Sequence, residues 1–263
     1  MYYLKLIGCF AKASTQNELA YRANFWVSLL NSMLNLGTGI LGLVILFGQV
    51  ENIRGWDLPA TLAILGVYLT IGAMRNLFIG PSLEALAGMD GEVWSGKLDF
   101  TLLRPIDVQF QASLRYWRPL ALIDLAMGLV VLVIATAQLE ETLTFPLVTQ
   151  FLITLFFAIA TLYAILLAFA GLVFWSPGFL FTWIFDALFQ LARYPVDLYP
   201  GWLRLILTWV IPVGVITTFP AQALTGTLTT GMMITGIGLS LGFVTGASIL
   251  FRTGLRRYAS ASS

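Results

Sequence analysis

Long apolar stretches recur along this chain and constrain its fold more than any other feature. Of the 263 residues, 59% are hydrophobic and only 10% are charged, whereas about a quarter of the residues in a soluble domain are charged. A water-soluble core cannot bury this much apolar surface, so lipid must replace water around part of the chain. The sequence therefore predicts an all-α polytopic membrane protein.

Six apolar stretches are predicted to cross the membrane. A helix rises 1.5 Å per residue, so about 20 residues cover a hydrocarbon core of about 30 Å. Arg75 lies near the inner end of the second span, where its side chain is expected to reach the interface, and Gly80-Pro81 is expected to end that helix. Glu140 and Glu141 predict a short external turn. The six predicted spans cover residues 24–47, 58–79, 119–137, 146–173, 179–192 and 230–251.

The distribution of Lys and Arg decides the predicted topology. With a cytoplasmic N-terminus and six spans, ten of these cations lie inside and three outside, which follows the cytoplasmic bias of basic residues. Residues 193–230, which several prolines interrupt, then form an external and partly re-entrant element. An alternative in which residues 202–218 cross instead of 179–192 also keeps the C-terminus inside and stays open. The inside cations are Lys5, Lys12, Arg22, Lys97, Arg104, Arg115, Arg118, Arg252, Arg256 and Arg257, and the outside ones are Arg54, Arg193 and Arg204.

Residues 1–22 predict an amphipathic helix that lies in the cytoplasmic interface. Tyr3 and Phe10 share one face of this helix, while Lys5 and Lys12 fall on another. A helix with one apolar face and one basic face lies along the membrane surface rather than across it.

A polar stripe follows the first span. Its members are spaced by three or four residues, which places them on one helix face; they are Asn24, Ser28, Asn31, Asn35, Thr38 and Gly42. Unpaired amides that face lipid are costly, so the stripe is expected to face protein or a water-accessible path. A helix-packing seam and a substrate-facing role both remain open.

Two acidic residues, Asp124 and Asp186, lie within predicted spans. An acidic side chain inside the membrane is a candidate for function, and we expect both to be hydrogen-bonded within the bundle. Together with Asn24, Ser28, Asn31 and Asn35 they are assigned to a translocation path or a subunit interface. An intramembrane enzyme that uses the two acids on lipid or peptide is the alternative.

The residue types argue against catalysis and metal binding. Histidine is absent, and Cys9 is the single cysteine, so neither an intrachain disulfide nor a Cys/His metal cluster is expected. The sequence has no Gly-x-x-x-x-Gly-Lys-Ser/Thr motif, so the chain is not expected to hydrolyse nucleotide itself. A net charge of +1 predicts no nucleic-acid partner. No catalytic residue, metal site or cofactor is therefore assigned to this chain.

The longest polar interruption, residues 88–110, is the predicted contact with a soluble protein that drives the membrane-embedded body. Apolar side chains alternate there with charged ones, so the segment can pack against a protein surface and stay hydrated on one side. It belongs to a cytoplasmic region, residues 81–118, of one transmembrane domain that covers residues 1–263. The residues assigned to the contact are Met89, Asp90, Glu92, Trp94, Lys97, Asp99, Leu103 and Arg104.

The chain resembles the permease subunits of ABC-2 type exporters, in particular a bacterial subgroup of ABC-2 family transporter proteins. The resemblance covers nearly the whole chain in order, although no single motif in it is highly specific. The residues that carry it are GKLDFTLLRPI at 96–106, Phe174-Trp175, Tyr194-Pro195, Tyr199-Pro200, Ile211-Pro212 and Phe219-Pro220-Ala221.

The resemblance implies a fold and a set of partners. The fold has six transmembrane helices, an N-terminal interfacial helix and re-entrant external helices before the last span. The partners are a second permease, identical or related, and two copies of a separate ABC ATPase, which would bind ATP and Mg²⁺ and receive the loop between spans two and three. The expected location is the bacterial plasma membrane, in contact with membrane lipid and with both termini cytoplasmic. An aromatic content of 14% favours an amphipathic or lipid-like substrate.

Overall fold

The computed structural model describes residues 2–20, 22–139 and 144–258, and these ranges contain helices and no β-strand. Five helices, α2, α3, α6, α7 and α11, are long and apolar enough to cross a membrane. The predicted class, an all-helical multi-pass membrane protein, is confirmed. The predicted turn at Glu140 and Glu141 lies outside the described residues. The helices are α1 (Tyr2–Leu19), α2 (Arg22–Phe47), α3 (Leu58–Glu84), α4 (Lys97–Leu102), α5 (Val108–Leu114), α6 (Ala121–Gln138), α7 (Phe145–Leu172), α8 (Phe181–Gln190), α9 (Gly201–Val210), α10 (Gly214–Leu224) and α11 (Thr230–Arg257).

The two ends of the helix bundle carry different loops. The segment between α3 and α6 contains Trp94, and we call its side of the bundle the Trp94 end. The loop between α2 and α3 contains Arg54, and we call its side the Arg54 end. α3 starts at the Arg54 end and finishes at the Trp94 end, and α6 packs against it in the opposite direction.

The contact between α3 and α6 depends on Gly128. A Cβ atom at this position would lie 2.7 Å from the backbone nitrogen of Thr70 and 2.8 Å from its hydroxyl oxygen. The backbone nitrogen cannot move aside without displacing α3, so a larger residue forces the two helices apart. The absence of a side chain at Gly128 therefore sets the distance between these two helices.

Replacing Gly128 with Ala is expected to lower the free energy of unfolding by about 1–3 kcal/mol, because overpacking forces a backbone shift. Thermal unfolding of the full-length protein in lipid nanodiscs measures this change. Gly242→Ala on α11 is the control, since a Cβ atom there meets nothing within 4 Å. Equal melting temperatures for the two variants would contradict the packing account.

The helices α7 and α11 run side by side in the same direction. The hydroxyl of Ser240 donates to the backbone carbonyl oxygen of Phe157 at 3.0 Å. Gly238, Gly242 and Gly246, spaced four residues apart on α11, take no part in this contact, because a Cβ atom at each position meets nothing within 4 Å.

The second span does not end at Gly80-Pro81 as predicted. It passes through a π-helical turn at Arg75–Ile79 and continues to Glu84. Proline lacks the N–H that would bond the carbonyl four residues earlier, which belongs to Leu77. The backbone N–H of Arg118 donates to that carbonyl instead, at 2.8 Å. The helix therefore survives the proline because a distant segment replaces the missing donor.

The predicted fifth span, residues 179–192, forms only the ten-residue helix α8. Ten residues of helix measure about 15 Å, half the thickness of a hydrocarbon core. The chain nevertheless runs along the length of α3, since Leu180 packs against Gly88 at the Trp94 end and Arg54 binds the carbonyl oxygen of Asp197 at the other end. Two short 3₁₀ turns after α8 complete this broken crossing.

The helices α9 and α10 form a bent pair that meets at 77°, next to Pro212. The pair starts at the Arg54 end, where Arg204 forms an ion pair with Asp197 at 2.8 Å. It also finishes there, because Gln222 lines a cavity together with Arg54. A pair that enters and leaves at one end has the geometry of a re-entrant loop, which favours the predicted arrangement over a continuous span at residues 202–218.

Candidate functional site

The segment between α3 and α6 presents large apolar side chains to solvent at the Trp94 end. Met89 is 73% exposed, Trp94 53%, Phe100 70% and Leu103 82%. Exposed apolar side chains of this size, interspersed with charges, are typical of protein-binding surfaces. We call this set the docking surface; it consists of Met89, Asp90, Trp94, Lys97, Phe100, Leu103 and Arg104.

Two of the residues that were assigned to the contact from the sequence are not fully exposed on this surface. Glu92 is buried, with 8% of its surface exposed, so its side chain cannot reach a partner directly. Asp99 is half-buried in the first turn of α4. The remaining six residues of that assignment lie on the docking surface, and sequence reasoning left out Phe100.

Glu92 lies beneath the docking surface and binds two residues there. Its carboxylate forms an ion pair with Arg115 at 2.9 Å and accepts a hydrogen bond from the hydroxyl of Tyr116 at 2.7 Å. Arg115 also donates to the hydroxyl of Thr101 in α4 at 3.3 Å. Burial, followed by the hydrogen bond to Glu92, raises the pKa of Tyr116 to about 12, so the Tyr116 hydroxyl keeps its proton and remains a donor at neutral pH.

Residues 115–120 connect the docking surface to the spanning helices. Tyr116 exchanges two hydrogen bonds with Ser82 near the end of α3, at 2.8 and 2.9 Å. The ring of Trp117 stacks on Phe78, with centroids 5.2 Å apart. The backbone N–H of Leu120 donates to Glu18 of α1 at 3.0 Å. Residues 115–120 therefore join the docking surface to α1 and α3 and lead directly into α6.

A second connection runs through α5. The amide of Gln109 donates to Tyr163 of α7 at 3.2 Å and to Ser248 of α11 at 3.1 Å, while Ser113 bonds the same tyrosine hydroxyl at 2.9 Å. Sequence reasoning missed this cluster. A single hydroxyl or amide in an apolar span belongs to no sequence pattern, so its hydrogen-bond partner cannot be predicted from the sequence.

A polar cavity lies within the bundle, between α2, α3, α6 and α8. It has two adjoining parts of about 260 and 360 Å³ that share Asn35, Asn76 and Asp124 on their walls. Of the residues assigned to a path or interface from sequence, the structure brings together Ser28, Asn31, Asn35, Asp124 and Asp186. It places Asn24 elsewhere, in a groove of about 650 Å³ beside α1 and Trp117.

Arg75 is the central charge of this cavity. Its guanidinium bonds Asp186 of α8 and Glu84 of α3, each at 2.6 Å, and lies 4.7 Å from the centre of the Phe185 ring. The side chain is only 12% exposed. The expectation that Arg75 reaches out to the interface is therefore wrong, because two carboxylates and an aromatic ring hold it inside.

The other polar groups of the cavity also bond across helices. The hydroxyl of Ser32 on α2 donates to the carboxylate of Asp124 on α6. Arg193 donates to the side-chain oxygen of Asn35 at 2.7 Å and lies over the ring of Tyr68. Asp124 and Asp186 thus have different partners, Ser32 and Arg75, rather than sharing a proton as a catalytic pair of carboxylates would.

Arg75→Gln is expected to lower the free energy of unfolding by about 3 kcal/mol, because it leaves the mostly buried carboxylate of Glu84 and the partly exposed carboxylate of Asp186 without their cation. Thermal unfolding in nanodiscs measures the effect. The control is Arg204→Gln, whose ion pair with Asp197 lies near the surface with the arginine 51% exposed and should contribute less than about 1 kcal/mol. A smaller loss for Arg75→Gln than for the control would contradict this account of the cavity.

The comparisons with known proteins identify a family. The family model described as ABC-2 family transporter protein matches residues 33–262, which leaves out α1 and the first part of α2. No curated protein and no solved structure matches the chain. The match includes the docking surface, the bent helix pair and the cavity, apart from the cavity-lining residues Glu18, Ser28, Asn31 and Ser32.

Proposed function

The chain belongs to the family of ABC-2 transporter proteins, and we propose that it is the membrane-spanning permease subunit of an ATP-driven exporter. The docking surface is the observation that carries this proposal. Its apolar side chains are exposed above the Glu92–Arg115 ion pair and the hydrogen bonds around it, as a site for a soluble partner requires. The sequence has no phosphate-binding loop of its own, so the partner that supplies the work would be a separate ABC ATPase.

The complex would contain two ATPase copies and a second permease, identical or related. ATP and Mg²⁺ would bind the ATPase and not this chain. The second permease would pack on α2. This helix is the least covered of the five long helices, since only 17% of its apolar stretch is buried. The complex would lie in the inner membrane of a bacterium. The Trp94 end and both chain termini would face the cytoplasm, because most Lys and Arg residues lie on that side.

Movement of the ATPases would reach the membrane helices through two connections. Residues 115–120 would carry it to α1, α3 and α6, and Gln109 and Ser113 would carry it to α7 and α11. A shift of α3 relative to α8 would act on Arg75 and its two carboxylates, and would open or close the polar cavity toward one side. An amphipathic substrate would pass along this cavity at the interface of the two permeases.

Leu103→Glu is expected to weaken the association with the ATPase at least tenfold, because it places a charge at the most exposed apolar position of the docking surface. Co-purification of the ABC ATPase with the full-length chain, followed by the ATPase rate of the complex, measures the effect. Gln49→Glu is the control, since it adds the same charge in an exposed loop at the Arg54 end. Unchanged co-purification and ATPase rate with Leu103→Glu would exclude this surface as the contact.

A further inference from the structure

Two cavities at the Arg54 end, opposite the docking surface, have no role in the account above. One has a volume of about 350 Å³ and the other about 660 Å³, and they share Asp197 and Gln222 on their walls. We propose that they form a single binding site for an amphipathic molecule with a neutral, hydroxyl-rich headgroup and one hydrocarbon tail. The proposal rests on the proposed function in that the site would receive the exported molecule before its release.

Gln222 is the polar group that points to a ligand. The residue is 9% exposed, and its side-chain oxygen is buried with no hydrogen-bond partner among residues 2–20, 22–139 and 144–258. Its backbone carbonyl accepts from the N–H groups of Thr227 and Leu228 at 3.0 and 3.1 Å, which fixes the position of the residue. A buried amide oxygen without a partner is unfavourable. This oxygen is an acceptor, so a hydroxyl group of a ligand satisfies it by donating its O–H.

The charges around the two cavities argue for a neutral headgroup. Their walls hold two cations and two anions, Arg54, Arg204, Asp57 and Asp197, and each is already engaged. Arg54 donates to the carbonyl of Asp197 at 2.6 Å, and Asp197 pairs with Arg204 at 2.8 Å. Asp57 accepts from the first turn of α3, from Ala60 N–H at 2.9 Å. The two cations and two anions sum to zero net charge, so the walls carry no excess charge to balance an ionic headgroup, whereas threonine hydroxyls line both cavities.

The larger cavity supplies the place for a tail. Its walls between the bent pair and α11 are mainly apolar and include Val196, Leu205, Trp209, Phe219, Met232 and Leu239. The smaller cavity is the more polar of the two, although Trp56 and Leu139 also line it, and it meets the larger cavity at Gln222. A ligand that fills both would therefore be polar at one end and apolar at the other. This division defines the class of ligand.

Equilibrium binding to the full-length protein in nanodiscs tests the site. The probes are radiolabelled dodecyl glucoside, dodecylphosphocholine and dodecyl sulfate, each below its micelle concentration, with empty nanodiscs of the same lipid as background. Saturable binding of the glucoside, at least tenfold tighter than binding of the zwitterionic and anionic probes, is the expected result. Absence of saturable glucoside binding, or equal affinity for the charged probes, would overturn the proposal.

Two variants locate the binding. Gln222→Leu should weaken glucoside binding about tenfold, as expected for one lost hydrogen bond to a buried group, while Gln150→Leu on α7, which lines neither cavity, should leave it unchanged. Trp209→Ala, at a position 52% exposed and so tolerant of change, should weaken binding of dodecyl glucoside more than that of octyl glucoside. Equal effects of Gln222→Leu and Gln150→Leu, or no effect of Trp209→Ala, would contradict the assignment.

The proposed function is judged by a different measurement. If the chain co-purifies with the ATPase but does not bind the glucoside, the proposed binding site is wrong and the proposed transport function still stands. If the chain binds the glucoside but associates with no ATPase, the binding site still stands and its proposed role in export is wrong.

Discussion

A charge inside an apolar bundle must find its partners within the protein, and this constraint shapes the middle of the molecule. Lipid cannot solvate Arg75, so the fold supplies Asp186 and Glu84, both at 2.6 Å. These contacts join α3 to α8, a helix too short to cross the membrane alone. The same requirement explains why Asp124 meets Ser32 and why Arg193 meets Asn35. A polar cavity bounded by cross-helix bonds is the result, and any relative movement of these helices must break or exchange those bonds.

The Trp94 end has a different organisation, because large apolar side chains are exposed there and an ion pair lies beneath them. Glu92 is buried against Arg115 and Tyr116, so the segment that carries the exposed apolar residues is bonded to the chain beneath it. That base is bonded to α3 through Ser82 and to α7 and α11 through Gln109. The docking surface is therefore joined to three of the spanning helices. Such connections are what the proposed role, a subunit that receives mechanical work from a partner, requires.

The sequence predicted the membrane class, the N-terminal helix and three of the spans to within two residues, and two more spans whose helices continue five or six residues further than predicted. These follow from local patterns, since hydropathy and three-to-four spacing act within a single segment. The errors arose where distant residues intervene. Pro81 was expected to end a helix, but Arg118 N–H replaces the missing donor. Glu92 was assigned to the contact surface, but Arg115 and Tyr116 draw it inward. Arg75 was placed at the interface, but its partner Asp186 is far away in the chain and no local pattern joins the two.

The proposed function requires that the docking surface receives an ATPase and transmits its movement. Site-specific photo-cross-linking in intact membranes, with a photoreactive amino acid at position 103, examines this requirement. We expect a cross-link to a protein that contains a Gly-x-x-x-x-Gly-Lys-Ser/Thr loop, and a cross-linked complex whose ATPase activity no longer responds to the permease. Cross-links only to lipid, or labelling of position 103 by a membrane-impermeant reagent added outside intact cells, would contradict it.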